Sequence, residues 1–582
     1  MPRTLHDPSR LLTQLEAAKN RFELGAASHI IKLLSELAKS ELDDLHQLLR
    51  FHEALLFLRA FPQAASLVPR VEHLLDTFHQ RIDRLRARHA DMSVFDDFDT
   101  SGIAGTIMQD VLSFDVVQWL VRRIPRNVEI AWDDYWDDQQ GERNRGNTGS
   151  RFIPLLEEDA DVEANIPWRR WLDAARGRQN ALPWLLKCFA QMPLPARQQA
   201  ELYDSLRLPI RWRLENLKFS RTRNWTRPRG FFFHDAPIIA RSEVSVAHEF
   251  SQPAPKLEKL SAAAGEAVIN SLREFEAVRY RDLYGATLGD PRTVVRADLE
   301  RGAIIHLWGL PPDRRLPLRA YVAGYTLKNG VAINYFEAIG LCEWLEVGFN
   351  TFYTYRHGET AWFYAQTLRC LRAVTGVQCF SIYPYQIGQD NDEALDSGAF
   401  WFYRKLGFRP GRADLRKLCE REERKIAADA KYRSPRRTLK RLAEGHMFYE
   451  MYESIIPAQK GRKNDSGPWD TFSTRNLGLL INRRMARDFD GDSGRIRQAS
   501  VKKVSRALGI TPSRWSLIEQ QAFENWSLVL FLFPGLQRWS VQEKRDLAKI
   551  IRAKAAANEM SFLHLTQRHP RLRQQLLRLG SQ

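Results

Sequence analysis

The chain has 582 residues, 87 Lys plus Arg against 70 Asp plus Glu, a formal net charge of +17, and 44% hydrophobic and 27% charged residues. That apolar content excludes a disordered chain, and five cysteines are too few for a disulfide scaffold of this length, so a soluble protein of roughly three or four domains at ~150 residues each is expected. The surplus of positive charge admits an anionic partner, whether nucleic acid, an acidic membrane or a phosphorylated cofactor, without choosing among them.

Cys188, Cys342, Cys370, Cys379 and Cys419 show neither CxxC nor Cys/His ligand spacing. That speaks against a zinc site and against a secreted disulfide framework. The N-terminal MPRTLHDPSRLLTQLEAAKN carries charge where a signal peptide needs an apolar run, and no stretch approaches ~18 uninterrupted apolar residues. A cytoplasmic protein with no membrane partner is the expectation.

In chain order, residues 1–90 read as a helical hairpin or bundle, because apolar residues recur at three and four positions with Glu, Lys and Arg between them. Asp91 to Gly149 is rich in Asp, Gly and Asn, interrupted by SFDVVQWLVRRI. Asp97, Asp99 and Ser101 imitate the start of a calcium loop, but Met108 stands where a bidentate Glu is required. Asp133, Asp134, Asp137 and Asp138, among Trp132, Tyr135 and Trp136, read as a solvated loop or helix start. From Pro167 to Pro228 the pattern is again helical. Its end places Arg211, Arg213, Lys218, Arg221, Arg223, Arg227 and Arg229 among Trp212, Phe219 and Trp225. That mixture suits either phosphate pairing with base stacking or a basic helix face whose aromatics enter the core. Ser242 to Lys259, with its prolines, reads as a linker, and SAAAGEAVINSLREFEAVRYRDLYG as a helix.

The period changes at Ala303. GAIIHLWGL is a strand candidate, and LRAYVAGYTLKNGVAINYFEAI contains two β-rich runs joined by Asn329-Gly330, a dipeptide that tolerates the positive φ of a two-residue hairpin. With EWLEVGFNTFYTY, this predicts three or four consecutive antiparallel strands. The last runs through an Arg- and Gly-containing turn into a helix from about Glu359, whose unpaired N–H groups would attract phosphate oxygens. A short strand VQCFSIY, a polar loop, a helix EALDSGAFWFYRKL and a final strand beginning GFRP follow.

This succession, ending in Ala399-x-x-Phe402-Tyr403-x-Lys405-Leu406-Gly407-Phe408, resembles the GNAT superfamily of acyl-CoA-dependent N-acyltransferases. The turn follows the superfamily's cofactor-loop pattern at Arg356 and Ala361, whereas Glu359 occupies its central Gly position and Gly358 comes one place early. The resemblance implies acetyl-CoA or another acyl-CoA as co-substrate and an amine acceptor that the sequence does not identify. It implies that the strand Glu343 to Thr354, including Phe352 and Thr354, hydrogen-bonds the pantetheine arm, and that Arg356, His357, Gly358, Glu359, Thr360 and Ala361 cradle the pyrophosphate. Tyr403 matches the residue that protonates the leaving thiolate. A general base is expected on the strand before the loop or its neighbour, with Glu346 first and Glu337 and Glu343 as alternatives. Strand alternation points Glu343 and Glu346 to opposite faces, so at most one of that pair serves. Two other readings stand beside acyl transfer: a non-catalytic GNAT-like module of an interaction protein, and an aminoacyl transferase that takes charged RNA as donor on the same fold.

Past Arg412, charged helices break near Ser434-Pro435, and their basic surface suits nucleic acid or the cofactor's phosphates, or reads simply as solvated helices of alternating charge. Asp488, Asp490 and Asp492 imitate a calcium loop, yet Ser493 and Ala499 take the Gly and Glu positions. SVKKVSRALGITPSRWSLIEQQAF reads as two helices around a turn, with Trp515, Leu517 and Ile518 suited to packing rather than base reading. Val541 to Leu579 reads as amphipathic helix. The expected class is α+β, with residues 1–90 a helical bundle, 91–258 mostly helical with acidic and basic loops, 259–412 a GNAT-like mixed sheet with helices, and 413–582 a basic helical region. No metal site is expected.

Overall fold

The computed structural model describes residues 7–23, 25–97, 99–137, 168–215, 217–451 and 467–581. They fall into two units, the first made of Met1–Pro237, Ile269–Leu288 and Asn329–Val331, the second of Ile238–Val268, Gly289–Lys328 and Ala332–Gln582. The class is α+β, a large mixed sheet with helical termini.

The first unit starts with the helices Pro8–Ala18, Ala26–Lys39, Leu45–Ala60, Leu67–Asp76 and His79–Ala87. Asp7 accepts from the Ser9 N–H at 3.0 Å and Asp44 from the Gln47 N–H at 2.8 Å, so two helix starts carry a carboxylate against unpaired, partly positive N–H groups. Leu11, Leu12, Leu15 and Ala18 form a buried stripe on the first helix. Leu45–Ala60 is buried almost all round from Phe51 onward, which makes it the central helix of the bundle.

Residues 91–258 differ from the helical expectation. They contain a three-stranded antiparallel sheet of β1 (Ile107–Val111), β2 (Val128–Ile130) and β3 (Pro209–Arg213), in the order β1-β3-β2. Strand β3 lies inside the basic-aromatic segment. Ile210 and Trp212 are buried while Arg213 faces solvent, the two-residue alternation of a strand, and Met108 and Val128 flank Trp212 in register. Trp212 joins Leu120, Phe189 and Tyr203 in one core, packed by the helices Phe114–Arg123, Ala181–Ala190 and Ala196–Asp204. The acidic residues have local partners: Asp97 accepts from the Asp99 N–H at 2.8 Å, and Asp134 pairs with Arg211 at 3.2 Å. Asp138 lies outside the described residues.

The second unit is organised by a nine-stranded sheet in the order β11-β12-β10-β9-β8-β7-β6-β5-β4. Its strands are β4 (Leu257–Lys259), β5 (Val295–Asp298), β6 (Ala303–Trp308), β7 (Ala320–Lys328), β8 (Val331–Leu341), β9 (Trp344–Thr351), β10 (Cys379–Ile382), β11 (Arg409–Pro410) and β12 (Met447–Glu450). The expected run of antiparallel strands is β6 to β9. Asn329 and Gly330 both have positive φ, 48° and 83°, as the hairpin turn requires. The segment Ser242 to Lys259, expected as linker, instead holds the helix Val246–Ser251 and edge strand β4, which pairs with β5.

From β9 the chain enters the helix Thr360–Thr375, which stops at Gly376 with φ 70° and returns as β10 parallel to β9. The single helix expected over EALDSGAFWFYRKL is two, Asp392–Asp396 and Ala399–Lys405, separated by Gly398 at φ 70°. After β11 and the charged helices Ala413–Ala428 and Arg436–Leu442, the chain adds β12, antiparallel to both β10 and β11. That strand was not anticipated in a stretch expected to be helical. The remaining helices are Thr474–Phe489, Ser493–Leu508, Leu517–Leu530, Val541–Lys554, Met560–Gln567 and Pro570–Gly580. Ser516 with Glu519 and Ser540 with Glu543 form capping boxes at two of their starts. Asp492 also caps a helix, accepting from the N–H groups of Gly494 and Arg495, so this part of the calcium-like run has a structural task. Among the described residues no group of three or more His, Cys, Asp or Glu is placed to hold a metal ion, and no helix is long and apolar enough to cross a membrane.

Candidate active site

Strands β8 and β9 carry the carboxylates expected to act as base. In their antiparallel register Tyr335 opposes Asn350, Glu337 opposes Gly348 and Ile339 opposes Glu346. Opposed residues share a face, so Glu337 and Glu346 lie on the same side of the sheet, with Phe336, Ala338, Val347 and Phe349 buried on the other. On that second side the Phe349 ring meets Tyr364 of the helix Thr360–Thr375 at 5.0 Å.

Glu346 has two basic neighbours. Its carboxylate accepts from Arg319 Nη1 at 3.3 Å and lies 3.0 Å from His446 Nε2. Burial alone would raise its pKa, but the hydrogen bond and charge of His446 and those of Arg319 outweigh it, and the net shift is downward. Glu346 is therefore ionised across the neutral range. An ionised carboxylate on Nε2 favours the tautomer with its proton there and leaves Nδ1 as the open acceptor of the ring. The imidazole is held further by Tyr383, edge-on at 5.4 Å, and Arg319 lies over the Trp344 ring at 6.0 Å.

Glu337 accepts a hydrogen bond from the Tyr321 hydroxyl. Glu343 has a different setting. It sits in the two-residue turn between β8 and β9 and accepts from Trp469 Nε1 at 2.8 Å and Arg573 Nε at 2.6 Å, a structural ion pair that fastens the C-terminal helix to the turn.

The parallel register places Ser381 opposite Glu346, and β10 ends one residue later while β9 continues to Thr351. Glu346 thus stands where the two strands part. Beyond that point come Phe352 and Thr354, both buried, then the turn. Arg356 donates to the Thr351 carbonyl at 3.3 Å and pairs with Glu393, and His357 is exposed. Gly358 donates to the Tyr355 carbonyl at 2.9 Å, and the Thr360 hydroxyl to that of Arg356 at 3.3 Å. Ala361 is buried in the first helical turn, and no side chain caps this helix start.

Glu359 turns away from the turn's outer surface. Its carboxylate is fully buried, accepts from Arg301 and from the Ile239 N–H at 3.1 Å, and lies 3.7 Å from Lys328 Nζ. Lys328 is itself buried, and desolvation pulls its pKa down to about 7 against the opposing pull of Glu359. The Glu359 carboxylate is thus matched by cations inside the protein and is not presented on the outer surface of the turn.

Tyr403 packs edge-on against Tyr364 at 5.4 Å and against Phe408 at 5.9 Å, so it belongs to the layer on the Phe349 face. Burial raises its pKa, which keeps the phenol protonated. The Tyr364 hydroxyl beside it is buried without a hydrogen-bond partner. The Cys370 and Cys379 thiols are buried and pushed upward by desolvation, as suits core residues rather than nucleophiles.

Arg319, Tyr321 and His446 were not anticipated. His446 precedes β12 in GHMFYE, and that short aromatic run after a glycine was the one available signal of a strand bringing a histidine to the sheet. Compared with protein-family models, curated proteins and solved structures, the chain gives no match.

Proposed function

We propose that the protein is an acyl-CoA-dependent N-acyltransferase of GNAT type, moving an acetyl or longer acyl group to an amine. The observation that carries this reading is the parting of β9 and β10 at Glu346, with a helix start that no side chain caps reached through the turn that follows β9. The β9 backbone beyond Glu346 has lost its β10 partner and offers hydrogen-bonding groups to an extended amide chain such as pantetheine. The turn fits a pyrophosphate as well: Arg356 is at its rim, the first N–H groups of the helix lack intrahelical acceptors, and Glu359 is withdrawn.

The thioester supplies a carbonyl carbon that gains a C–N bond as its C–S bond breaks. The chain's own groups handle the protons. His446, oriented by Glu346, takes the proton of the incoming amine at Nδ1, with Glu337 and its Tyr321 partner on the same face as the second acceptor. Tyr403, on the opposite face, holds the proton that the leaving sulfur requires.

Calorimetric titration of the full chain with acetyl-CoA, followed by an amine-dependent thiol-release assay, tests the reading. Saturable binding and release that fall with Glu346→Gln support it. If neither acetyl-CoA nor a longer acyl-CoA binds at millimolar concentration, the reading fails.

A further inference from the structure

In the first unit a cavity of about 530 Å³ lies against the segment Lys218–Phe231, within the roughly 300–1,000 Å³ typical of small-molecule sites. Its wall is cationic. Arg59, Arg123, Lys218, Arg223 and Arg227 line it against two carboxylates, Glu72 and Glu274. Both carboxylates are engaged, Glu72 by Arg59 Nε at 2.8 Å and Glu274 by Arg123 Nε at 2.7 Å. Arg227 is exposed and has no ion pair among the described residues.

Two further features indicate what such a wall would hold. The Asn224 Nδ2 donor is buried at the cavity without a hydrogen-bond partner among the described residues, a condition that costs about 1–3 kcal/mol unless an acceptor arrives. The Trp225 and Phe231 rings also face the cavity, and the Arg59 guanidinium lies 5.0 Å over the first and 4.8 Å over the second. Their backbone is fixed: Thr226 N–H donates to the Gly330 carbonyl at 2.9 Å, and Trp225 bridges to Val331. A methyl group on Gly330 would stand 1.9 Å from the Thr226 carbonyl oxygen, so the contact is made at the closest approach a glycine allows. A rigid cationic wall with spare donors at Asn224 and Arg227 and with aromatic faces is complementary to a ligand that combines acceptor oxygens, negative charge and a planar ring.

We propose that this cavity binds a nucleotide, with phosphate oxygens toward Asn224, Lys218 and Arg227 and the base against Trp225. The nucleotide is either free or one unit of a single-stranded nucleic acid. The site is independent of the acyl-transfer reading, since every lining residue lies in the first unit and none was assigned to catalysis.

Calorimetric titrations of the full chain with AMP, with inorganic phosphate, with adenosine and with a six-nucleotide oligoribonucleotide test it. Expected are AMP binding at least tenfold tighter than either fragment, weakening with added salt, and a further tenfold or greater loss in Arg227→Glu and in Asn224→Ala. Glu346→Gln should leave AMP affinity unchanged, which separates this site from any acyl-CoA site. Tighter binding of the oligonucleotide than of AMP identifies a nucleic acid as the source, and the reverse identifies the free nucleotide. Arg227 is exposed, so its variant keeps the test valid if Asn224→Ala unfolds. No binding of AMP or oligonucleotide at millimolar concentration, equal binding of phosphate alone, or AMP affinity unmoved by Arg227→Glu would overturn the proposal.

Discussion

Around the cavity of the first unit, cations outnumber carboxylates and one of them, Arg227, has no ionic partner among the described residues. In the second unit the buried carboxylates are each surrounded: Glu346 by Arg319 and His446, Glu359 by Arg301 and Lys328, Glu343 by Arg573. Similar residue types serve two ends. A buried acid among bases is fixed in charge and direction, which suits proton handling, whereas an excess of donors is incomplete until an anion supplies the acceptors. The first unit is nonetheless neutral as a whole, with 36 Lys plus Arg against 36 Asp plus Glu, and the +17 surplus lies in the second, with 51 against 34, so the cationic wall of the cavity is a local clustering and not a share of the net charge.

The largest expected effect lies at the carboxylates of β9 and its turn. Glu346→Gln should lower turnover on the order of 10²-fold or more with little change in melting temperature, because the amide still bonds His446 and Arg319. Glu343→Ala should do the opposite, lowering the melting temperature by removing the acceptor of Trp469 and Arg573 while leaving the activity of the folded fraction intact. Steady-state kinetics and thermal melts on both variants decide it. Equal loss of activity in the two would break the distinction between a working and a structural acid.

These two glutamates also show what the sequence could disclose. The β-branched and aromatic runs with Asn329-Gly330 between them made β6 to β9 legible, but strand alternation did not tell Glu343 from Glu346, because Glu343 lies in the turn and not on a strand. The sequence could not supply His446, which is 100 positions from Glu346 along the chain and arrives one residue ahead of β12, a four-residue strand beyond two charged helices. Strand β3 was concealed differently. Arginines between aromatics satisfied a helical reading, and only pairing with β1 and β2 fixed the two-residue period. The break at Gly398 depends on its left-handed φ, which the composition of that apolar run did not suggest. Asn224 likewise has no sequence signature, since its significance is an absent partner.

Next in size is the buried set at the turn after β9. Glu359→Gln leaves Arg301 and Lys328 without their acid and should cost about 3–5 kcal/mol in chemical denaturation. Lys328 titrates near pH 7 in the folded state, with Glu359 helping to keep it charged. Its removal pulls that pKa lower, so the loss should be greater at pH 6, where the wild-type lysine is charged, than at pH 9. A loss independent of pH would mean that Arg301 alone matters.

Acid sensitivity separates charge from burial. His306 on β6 is buried against Tyr325, and desolvation, with Arg296 adding to it, lowers its pKa to about 4. The unfolded chain binds the proton at a higher pH than the folded one, so stability falls as pH drops below 6.5 and continues falling until about 4. His306→Phe should remove up to about 3 kcal/mol of that dependence, read from denaturant midpoints at pH 7 and pH 4.5. His52, in the first unit, shifts in the same direction through burial, with the Glu53 hydrogen bond opposing it.

The smallest stability change returns to the cavity. Glu72 holds Arg59, yet its side chain is 35% exposed and Arg59 keeps the Asn329 carbonyl at 3.0 Å and two aromatic faces when the carboxylate is gone. Glu72→Gln should therefore cost only about 1 kcal/mol, in contrast to Glu359→Gln, because the cation is not stranded. The same change removes one of two negative charges from the cavity wall and should raise AMP affinity severalfold at low salt, an advantage that shrinks as salt is added. Affinity that falls instead would show that Glu72 holds Arg59 in the position the ligand needs, and that the cavity depends on its paired charges as much as the second unit does.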